Sequence, residues 1–169
     1  YFSAKAKHCD SASLRLNQSK RGRQMNIVAI GAHPDDLEIF AYGFLAAASA
    51  RGDQLYLAVA TDGAAGGRNP GPELAAQRAA EAKAGLAELG TPTLLDLPDG
   101  KLANAPDACE RITNFIRGTA PDLVITHAAE DYHPDHRALS SLVSDAVGFI
   151  CPILFCDTLM GVGFTPDYY

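Results

Sequence analysis

The stretch "NIVAIGAHPDD", residues 26–36, joins a short apolar run to a cluster of titratable side chains. The run "NIVAIGA" is rich in branched residues, which is typical of a buried β-strand. His33, Asp35 and Asp36 follow this run at once. Because adjacent carboxylates repel each other, their position beside a histidine at a strand end suggests a positive group between them. A divalent metal ion is the first candidate.

Outward from this stretch, apolar runs alternate with segments of helical length. Strands are predicted at "NIVAIGA", "QLYLAVAT", "TLLDL", "DLVITHA" and "ILFCDTL". Helices are predicted at "LEIFAYGFLAAASARG", "ELAAQRAAEAKAGLAELG", "PDACERITNFIRG" and "PDHRALSSLVSDAVGFI". Strands that alternate with helices favour a mostly parallel sheet covered on both faces. The sequence therefore predicts an α/β fold, a Rossmann-like three-layer sandwich.

Composition and charge limit the classes of partner. The 169 residues are 47% hydrophobic and 20% charged, as in one soluble domain. Residues 1–24 carry six Lys or Arg and one acidic residue, and they are predicted to be a basic N-terminal extension. The remainder carries 19 acidic against eight basic residues, which argues against nucleic acid as a partner. No apolar run approaches the roughly 18 residues of a membrane span.

The cysteines form no metal-binding or redox motif. Cys9, Cys109, Cys151 and Cys156 include no CxxC pair. We interpret them as buried free thiols of a reducing compartment, which predicts a cytoplasmic location. The sequence leaves the oligomeric state open, a homo-oligomer included.

Titratable residues are predicted to meet at one edge of the sheet. In parallel sheets, ligands bind at the carboxyl ends of the strands. His33, Asp35 and Asp36 follow the first predicted strand. Asp62 and the glycine loop "DGAAGGRNPGP" follow the second strand, and Asp99 follows the third. The segment from His127 to His136 follows the fourth. We therefore expect the active site at this edge.

The spacing of the histidines favours a metal site. His33 and Asp36 are three residues apart, and His133 and His136 repeat that spacing. Two histidines and one carboxylate leave a zinc position open for water, as catalytic zinc sites require. The residues alone do not choose between His133 and His136. His127 is predicted to end a strand or to support a ligand rather than to bind the metal.

Two motifs carry a resemblance to a known family. "AHPDDLE" at 32–38 and "DYHPDHR" at 131–137 resemble the signature motifs of the PIG-L/LmbE-like family of zinc-dependent N-acetylglucosaminyl deacetylases. The segments "TDGAAGG", "ELAAQRAAEAKAGLAELG" and "LPDGKL" follow the order of that family's glycine loop, Arg-containing helix and PDG turn. Family members usually continue further, so the resemblance implies a deacetylase domain over residues 25–169 that lacks its C-terminal part.

The resemblance implies a metal shell and a base. One Zn²⁺ per chain, with Fe²⁺ as the alternative, is expected on His33, Asp36 and His136. Asp35 is implied as the general base.

The resemblance also implies roles for the neighbouring residues. His133 is expected to stabilise the oxyanion as an imidazolium, and Asp135 to orient and charge one of the histidines. The residues implied to hold the substrate are Arg68, Arg78 and Asp99.

The predicted function is metal-dependent hydrolysis of the N-acetyl group of an N-acetylglucosamine-type amino sugar, with a small molecule as the partner. Two alternatives stay open. One is an amidase of the same fold that acts on a non-sugar or thiol-conjugate amide. The other is a non-hydrolytic nucleotide-binding module, which requires that the glycine loop hold phosphate.

Overall fold

A computed structural model describes residues 23–156 of the chain. Most of the predicted basic extension, the end of the segment "ILFCDTL" and Cys9 lie outside these residues. The described part contains five strands: β1 (Asn26–Gly31), β2 (Gln54–Thr61), β3 (Thr93–Leu97), β4 (Leu123–His127) and β5 (Ile153–Cys156). Its α-helices are α1 (Asp36–Phe40), α2 (Tyr42–Arg51), α3 (Pro72–Gly85), α4 (Ala108–Gly118) and α5 (Pro134–Val147), with a 3₁₀ turn at Leu102–Asn104.

The strands form one parallel sheet in the order β3-β2-β1-β4-β5. From β1 the chain builds outward to β2 and β3, and then returns to add β4 and β5 on the other side of β1. This change of direction opens a crevice beyond the carboxyl ends of β1 and β4, where sheets of this kind bind ligands. The predicted fold class is confirmed.

The central strand β1 is buried on both faces. Val28 and Ile30 belong to one apolar cluster, which includes residues of α4 and α5. Ile27 and Ala29 belong to a second cluster, on the face covered by α1 and α2. All four side chains are fully buried, which explains the unbroken apolar run that predicted this strand.

One predicted helix is divided in two. The Ala-rich segment 37–52 forms α1 and α2, with a break at Ala41, whose φ of −124° leaves the helical range. Gly43 lies two residues after the break, but an isolated glycine is tolerated inside a helical pattern, so the pattern did not predict the division. The break ends α1 after five residues, directly beside the polar cluster.

The prediction of buried thiols is wrong for Cys109. This residue is exposed on α4, whose buried face carries Ile112 and Ile116. Cys151 and Cys156 are partly buried, and all three thiols are free. Burial raises the pKa of Cys156 to about 12. Between residues 23 and 156, no helix combines the length and the apolar character needed to span a membrane.

The two-sided core predicts a stability difference between two isoleucines. Ile112 is fully buried under the sheet, whereas Ile39 is 57% exposed. We expect Ile112→Ala to lower the free energy of unfolding by about 2–5 kcal/mol, because it leaves a cavity. Ile39→Ala is the matched control and should change it by about 0.5 kcal/mol or less. Urea denaturation measures both, and equal losses would contradict the packing described.

Candidate active site

A pocket of about 370 Å³ lies at the carboxyl edge of the sheet. Its walls come from the segments that follow all of the first four strands, as predicted. Histidines and carboxylates of both motifs line it, among them His33, Asp36, His133 and His136.

The turn after β1 depends on Gly31. A Cβ atom on Gly31 would lie 2.8 Å from Cβ of Asp36, closer than such atoms approach in proteins. The absence of that atom lets Asp36, the first residue of α1, fold back against the strand end. There its carboxylate accepts the backbone N–H of His33 at 2.6 Å.

The three predicted ligands present their donor atoms to one another. Nδ1 of His33 lies 3.2 Å from Nε2 of His136. The Asp36 carboxylate places Oδ2 at 3.5 Å from Nδ1 of His33, and Oδ1 at 3.4 Å from Nε2 of His136. A tetrahedral zinc site with bonds of 2.0–2.1 Å has edges of about 3.3–3.4 Å between its ligands. The spacing of these donors therefore fits one metal ion.

The other nitrogen of His33 faces two carboxylates. Nε2 lies 3.2 Å from Oδ1 of Asp99 and 3.4 Å from Oδ2 of Asp135. Backbone N–H groups of Gly100 and Leu102 hold the Asp135 carboxylate at 2.7 and 3.1 Å. Metal-binding histidines commonly donate their second N–H to such a carboxylate. Asp135, predicted to orient a histidine, thus contacts His33.

His136 has a carboxylate of its own. Nδ1 of His136 lies 3.0 Å from Oδ1 of Asp131, within ion-pair distance although not aligned for a good hydrogen bond. Asp131 is buried, and its side chain also accepts the backbone N–H of His133 at 2.9 Å. The sequence reasoning missed Asp131. A signal for this turn was available, since an aspartate side chain often accepts the backbone N–H two residues on, here that of the N-cap residue His133.

The charges of the site converge on Asp36. Burial by itself would raise the pKa of Asp36, but hydrogen bonds to the rings of His127, His136 and His33 hold it well below its usual range. Burial works against the charged form of His33, yet its acidic neighbours, Asp36 first, raise its pKa. The same balance raises the pKa of His136. A buried carboxylate therefore stays ionised at the centre of the cluster.

His127 ends β4 and stacks on His136, with ring centroids 3.7 Å apart. Its Nε2 lies 3.0 Å from the backbone N of Ala32 and 3.0 Å from Oδ2 of Asp36. In one tautomer this nitrogen accepts from Ala32, and in the other it donates to Asp36. Nε2 therefore has no lone pair free for a metal ion in either tautomer. Donor spacing alone also groups His127 with Asp36 and His136.

His133 lines the pocket beside His33 and His136, and donor spacing alone also groups it with those two residues. Its ring is edge-on to that of His33, with centroids 4.6 Å apart. Nδ1 accepts the backbone N–H of Asp135 at 3.2 Å, which favours the neutral tautomer with the proton on Nε2. Burial lowers the pKa of His133, and the neighbouring His33 and His136 lower it further. The ring is thus suited to donate a hydrogen bond while uncharged.

Asp35 also lines the pocket, and half of its side chain is exposed. Its backbone has φ 129°, a conformation rare for any residue except glycine. Burial raises the pKa of Asp35, and the Arg78 guanidinium opposes that rise.

The three residues predicted to hold substrate lie in different places. Asp99 lines the pocket beside His33, and Arg78 lines it beside Asp35. Arg68 is exposed on the glycine loop and does not line the pocket.

Two backbone N–H groups of the glycine loop donate to carboxylates. The backbone N–H of Ala64 donates to Asp62 at 3.0 Å, and that of Ala65 donates to Asp99 at 2.9 Å. A phosphate cradle needs such donors free. The contacts of this loop therefore give no support to the nucleotide-binding alternative.

The fold resembles several solved structures. The conserved protein TT1542 from Thermus thermophilus has a TM-score of 0.71 and 27% identity, over 86% of this chain and 70% of that one. N,N'-diacetylchitobiose deacetylase from Pyrococcus horikoshii has a TM-score of 0.66 and 25% identity, over 85% of this chain and 61% of that one. The present chain therefore spans less than two thirds of the length of this deacetylase.

A further neighbour shows likeness of fold alone. GalB, the 4-carboxy-2-hydroxymuconate hydratase from Pseudomonas putida KT2440, has a TM-score of 0.66 at 21% identity, over 76% of this chain and 60% of that one. One fold thus carries different activities, and function has to be argued from the site. A family model described as PIG-L, GlcNAc-PI de-N-acetylase, matches residues 28–147. This range includes both motifs, "AHPDDLE" at 32–38 and "DYHPDHR" at 131–137. The chain belongs to the PIG-L family.

Proposed function

We propose that this chain is a metal-dependent hydrolase that removes the N-acetyl or a related N-acyl group from an N-acetylglucosamine-type amino sugar. The observation that carries the proposal is the set of donor atoms on His33, Asp36 and His136, spaced as in a tetrahedral metal site. Membership of the PIG-L family and the likeness to a chitobiose deacetylase support it. The pocket of about 370 Å³ is of a size suited to a small ligand.

The metal ion is proposed to be zinc, held by those three residues. Two histidines and a carboxylate suit catalytic zinc, and the same donor set also occurs with Fe²⁺. When bound, such an ion polarises a carbonyl and lowers the pKa of water. Contacts from Asp99 and Asp135 to His33, and from Asp131 to His136, hold the two rings and make them better donors to the metal.

Asp35 and His133 are proposed to handle the proton and the charge. Asp35 accepts the proton of the attacking water and passes it to the leaving amine, as a general acid–base group does. The raised pKa of Asp35 brings it closer to the working range of such a group. Nε2–H of His133 donates to the oxygen that becomes negative as water attacks the amide carbon. A neutral donor replaces the imidazolium that the family resemblance implied.

An amidase that acts on a less polar amide is the second candidate. Ile39 and Tyr132 line the pocket and are 57% and 47% exposed, so the rim offers apolar surface to a substrate. Release of free amine from N-acetylglucosamine and from an aryl-substituted acetamide separates the two candidates. Preference for the sugar by kcat/KM supports the deacetylase proposal, and preference for the aryl amide supports the amidase.

The first prediction concerns metal content. We expect His33→Ala, Asp36→Ala and His136→Ala each to lose most of the bound zinc, because each removes one of three protein ligands. His127→Ala should keep it, since Nε2 of His127 is engaged by Ala32 or Asp36. Elemental analysis of the purified variants measures this. Loss of zinc from the His127 variant, with retention in the His136 variant, would contradict the assignment.

A graded effect is expected from Asp131, which touches His136 but is not a proposed ligand. Asp131→Asn should weaken zinc affinity by about 10–100-fold, as is typical when a supporting carboxylate is removed. Competition with a chelator measures the affinity. The exposed neighbouring Glu130→Gln is the control and should leave the affinity unchanged. Unchanged affinity in Asp131→Asn would show that the contact with His136 does not support the metal.

The next prediction separates chemistry from binding at Asp35. Asp35→Asn keeps the size of the side chain and removes the proton acceptor. We expect kcat to fall by about 10²–10⁴-fold, with zinc content unchanged. Asp107→Asn is the control, because Asp107 is exposed and does not line the pocket. A near-normal kcat for Asp35→Asn would exclude the role of general base.

The final prediction of this proposal concerns His133. We expect His133→Ala to keep its zinc and to lose about 10²–10³-fold in kcat, because one donor to the developing negative oxygen is removed. His133→Gln retains a neutral N–H donor and should recover part of the rate. Loss of zinc from His133→Ala would instead identify this residue as a ligand.

A further inference from the structure

Asp35 is held in an unusual backbone conformation beside the candidate metal ligands. Its φ of 129° and ψ of −22° lie in a region that side chains other than glycine rarely adopt. Such a residue persists only when its surroundings hold it there. Its own side chain makes no cap for helix α1, so the restraint has to come from elsewhere.

Arg78, on helix α3, supplies contacts on both sides of this residue. Its Nη2 donates to Oδ2 of Asp35 at 2.8 Å and to the carbonyl oxygen of Pro34 at 3.1 Å. Its Nη1 donates to the carbonyl oxygen of Gly63 at 3.4 Å. One planar guanidinium thus fixes the carboxylate of Asp35 and the peptide that precedes it.

The glycine loop leaves room for this guanidinium. A Cβ atom on Gly66 would lie 3.0 Å from Nη1 of Arg78. A Cβ atom on Gly63 would lie 2.9 Å from Cδ of Pro34 and 3.2 Å from Cδ of Arg78, at a φ of +67°. These glycines therefore let the loop backbone close over Pro34 and Arg78 together.

We infer that Arg78 is a positioning residue for Asp35, and that the glycine loop seats the Arg78 guanidinium. This inference rests on the proposed function, in which Asp35 is the general base. Arg78 acts by holding the strained peptide and by aiming the carboxylate. Its side chain is only 20% exposed, and three of the five N–H donors of the guanidinium already bond to acceptors of the chain itself.

The test is a double-mutant cycle on the zinc-loaded enzyme, with release of free amine from N-acetylglucosamine as the assay. Arg78→Ala should lower kcat by up to about 10²-fold, with KM and zinc content close to normal, because a small misplacement of a catalytic group has that effect. In the Asp35→Asn background, Arg78→Ala should have no further effect on kcat, since it acts through Asp35. Arg78→Lys should keep more of the wild-type kcat than Arg78→Ala does. Guanidinium ion added to Arg78→Ala should restore part of the lost kcat.

Two results would overturn the positioning role of Arg78 and leave the role of Asp35 as general base unaffected. One is a rise in KM at normal kcat for Arg78→Ala, which would identify a substrate contact. The other is a further full loss of kcat when Arg78→Ala is combined with Asp35→Asn. If Asp35→Asn is itself near-normal, the proposed base and this inference both fail.

Gly66→Ala keeps the test valid if Arg78→Ala does not fold. The added methyl group lies against Nη1 of Arg78, so kcat should fall while zinc content and the free energy of unfolding change little. Gly118→Ala is the matched control, because a Cβ atom there meets no neighbour. Normal kcat in Gly66→Ala would overturn the role assigned to the loop.

Discussion

The candidate site depends on one buried, ionised carboxylate at the end of the central strand. Asp36 contacts the rings of three histidines, and these contacts offset the cost of burying its charge. The carboxylate reaches that position because Gly31 has no side chain to exclude it. Without a charge there, two histidines from distant parts of the chain would face each other across the crevice with nothing between them to favour their approach.

The parallel sheet explains why such distant residues meet. The chain changes its direction of strand addition beside β1, so that the segments after β1 and β4 face the same crevice. His33 and His136 are 103 residues apart in sequence, yet their nitrogens come within 3.2 Å. Both positions follow strands that are buried on two faces, so the core of the sheet fixes where these two histidines lie.

Much of this arrangement could be predicted from the sequence, for identifiable reasons. Runs such as "QLYLAVAT" are apolar because both faces of the sheet are covered, and β2 coincides with that run. The polar residues after the strands, such as His33 and His136, were expected at one edge from the rule for parallel sheets alone. The break at Ala41 was not predicted, because the isolated Gly43 after it is compatible with one continuous helix. The exposure of Cys109 was not predicted either, because its spacing of three residues from Ile112 also fits the buried face of that helix. The turn made by Asp131 could be predicted from its position, whereas its contact with the His136 ring could not.

The glycine loop also limits how the chain length can vary. Surface loops between a strand and a helix usually tolerate insertions and deletions. Here the loop between β2 and α3 contacts Pro34 and Arg78 through its glycines, and the N–H of Ala65 bonds to Asp99 beyond the next strand. A residue added between Gly63 and Gly66 would shift one of these contacts relative to the others. The number of residues in this segment is therefore constrained as tightly as their identity.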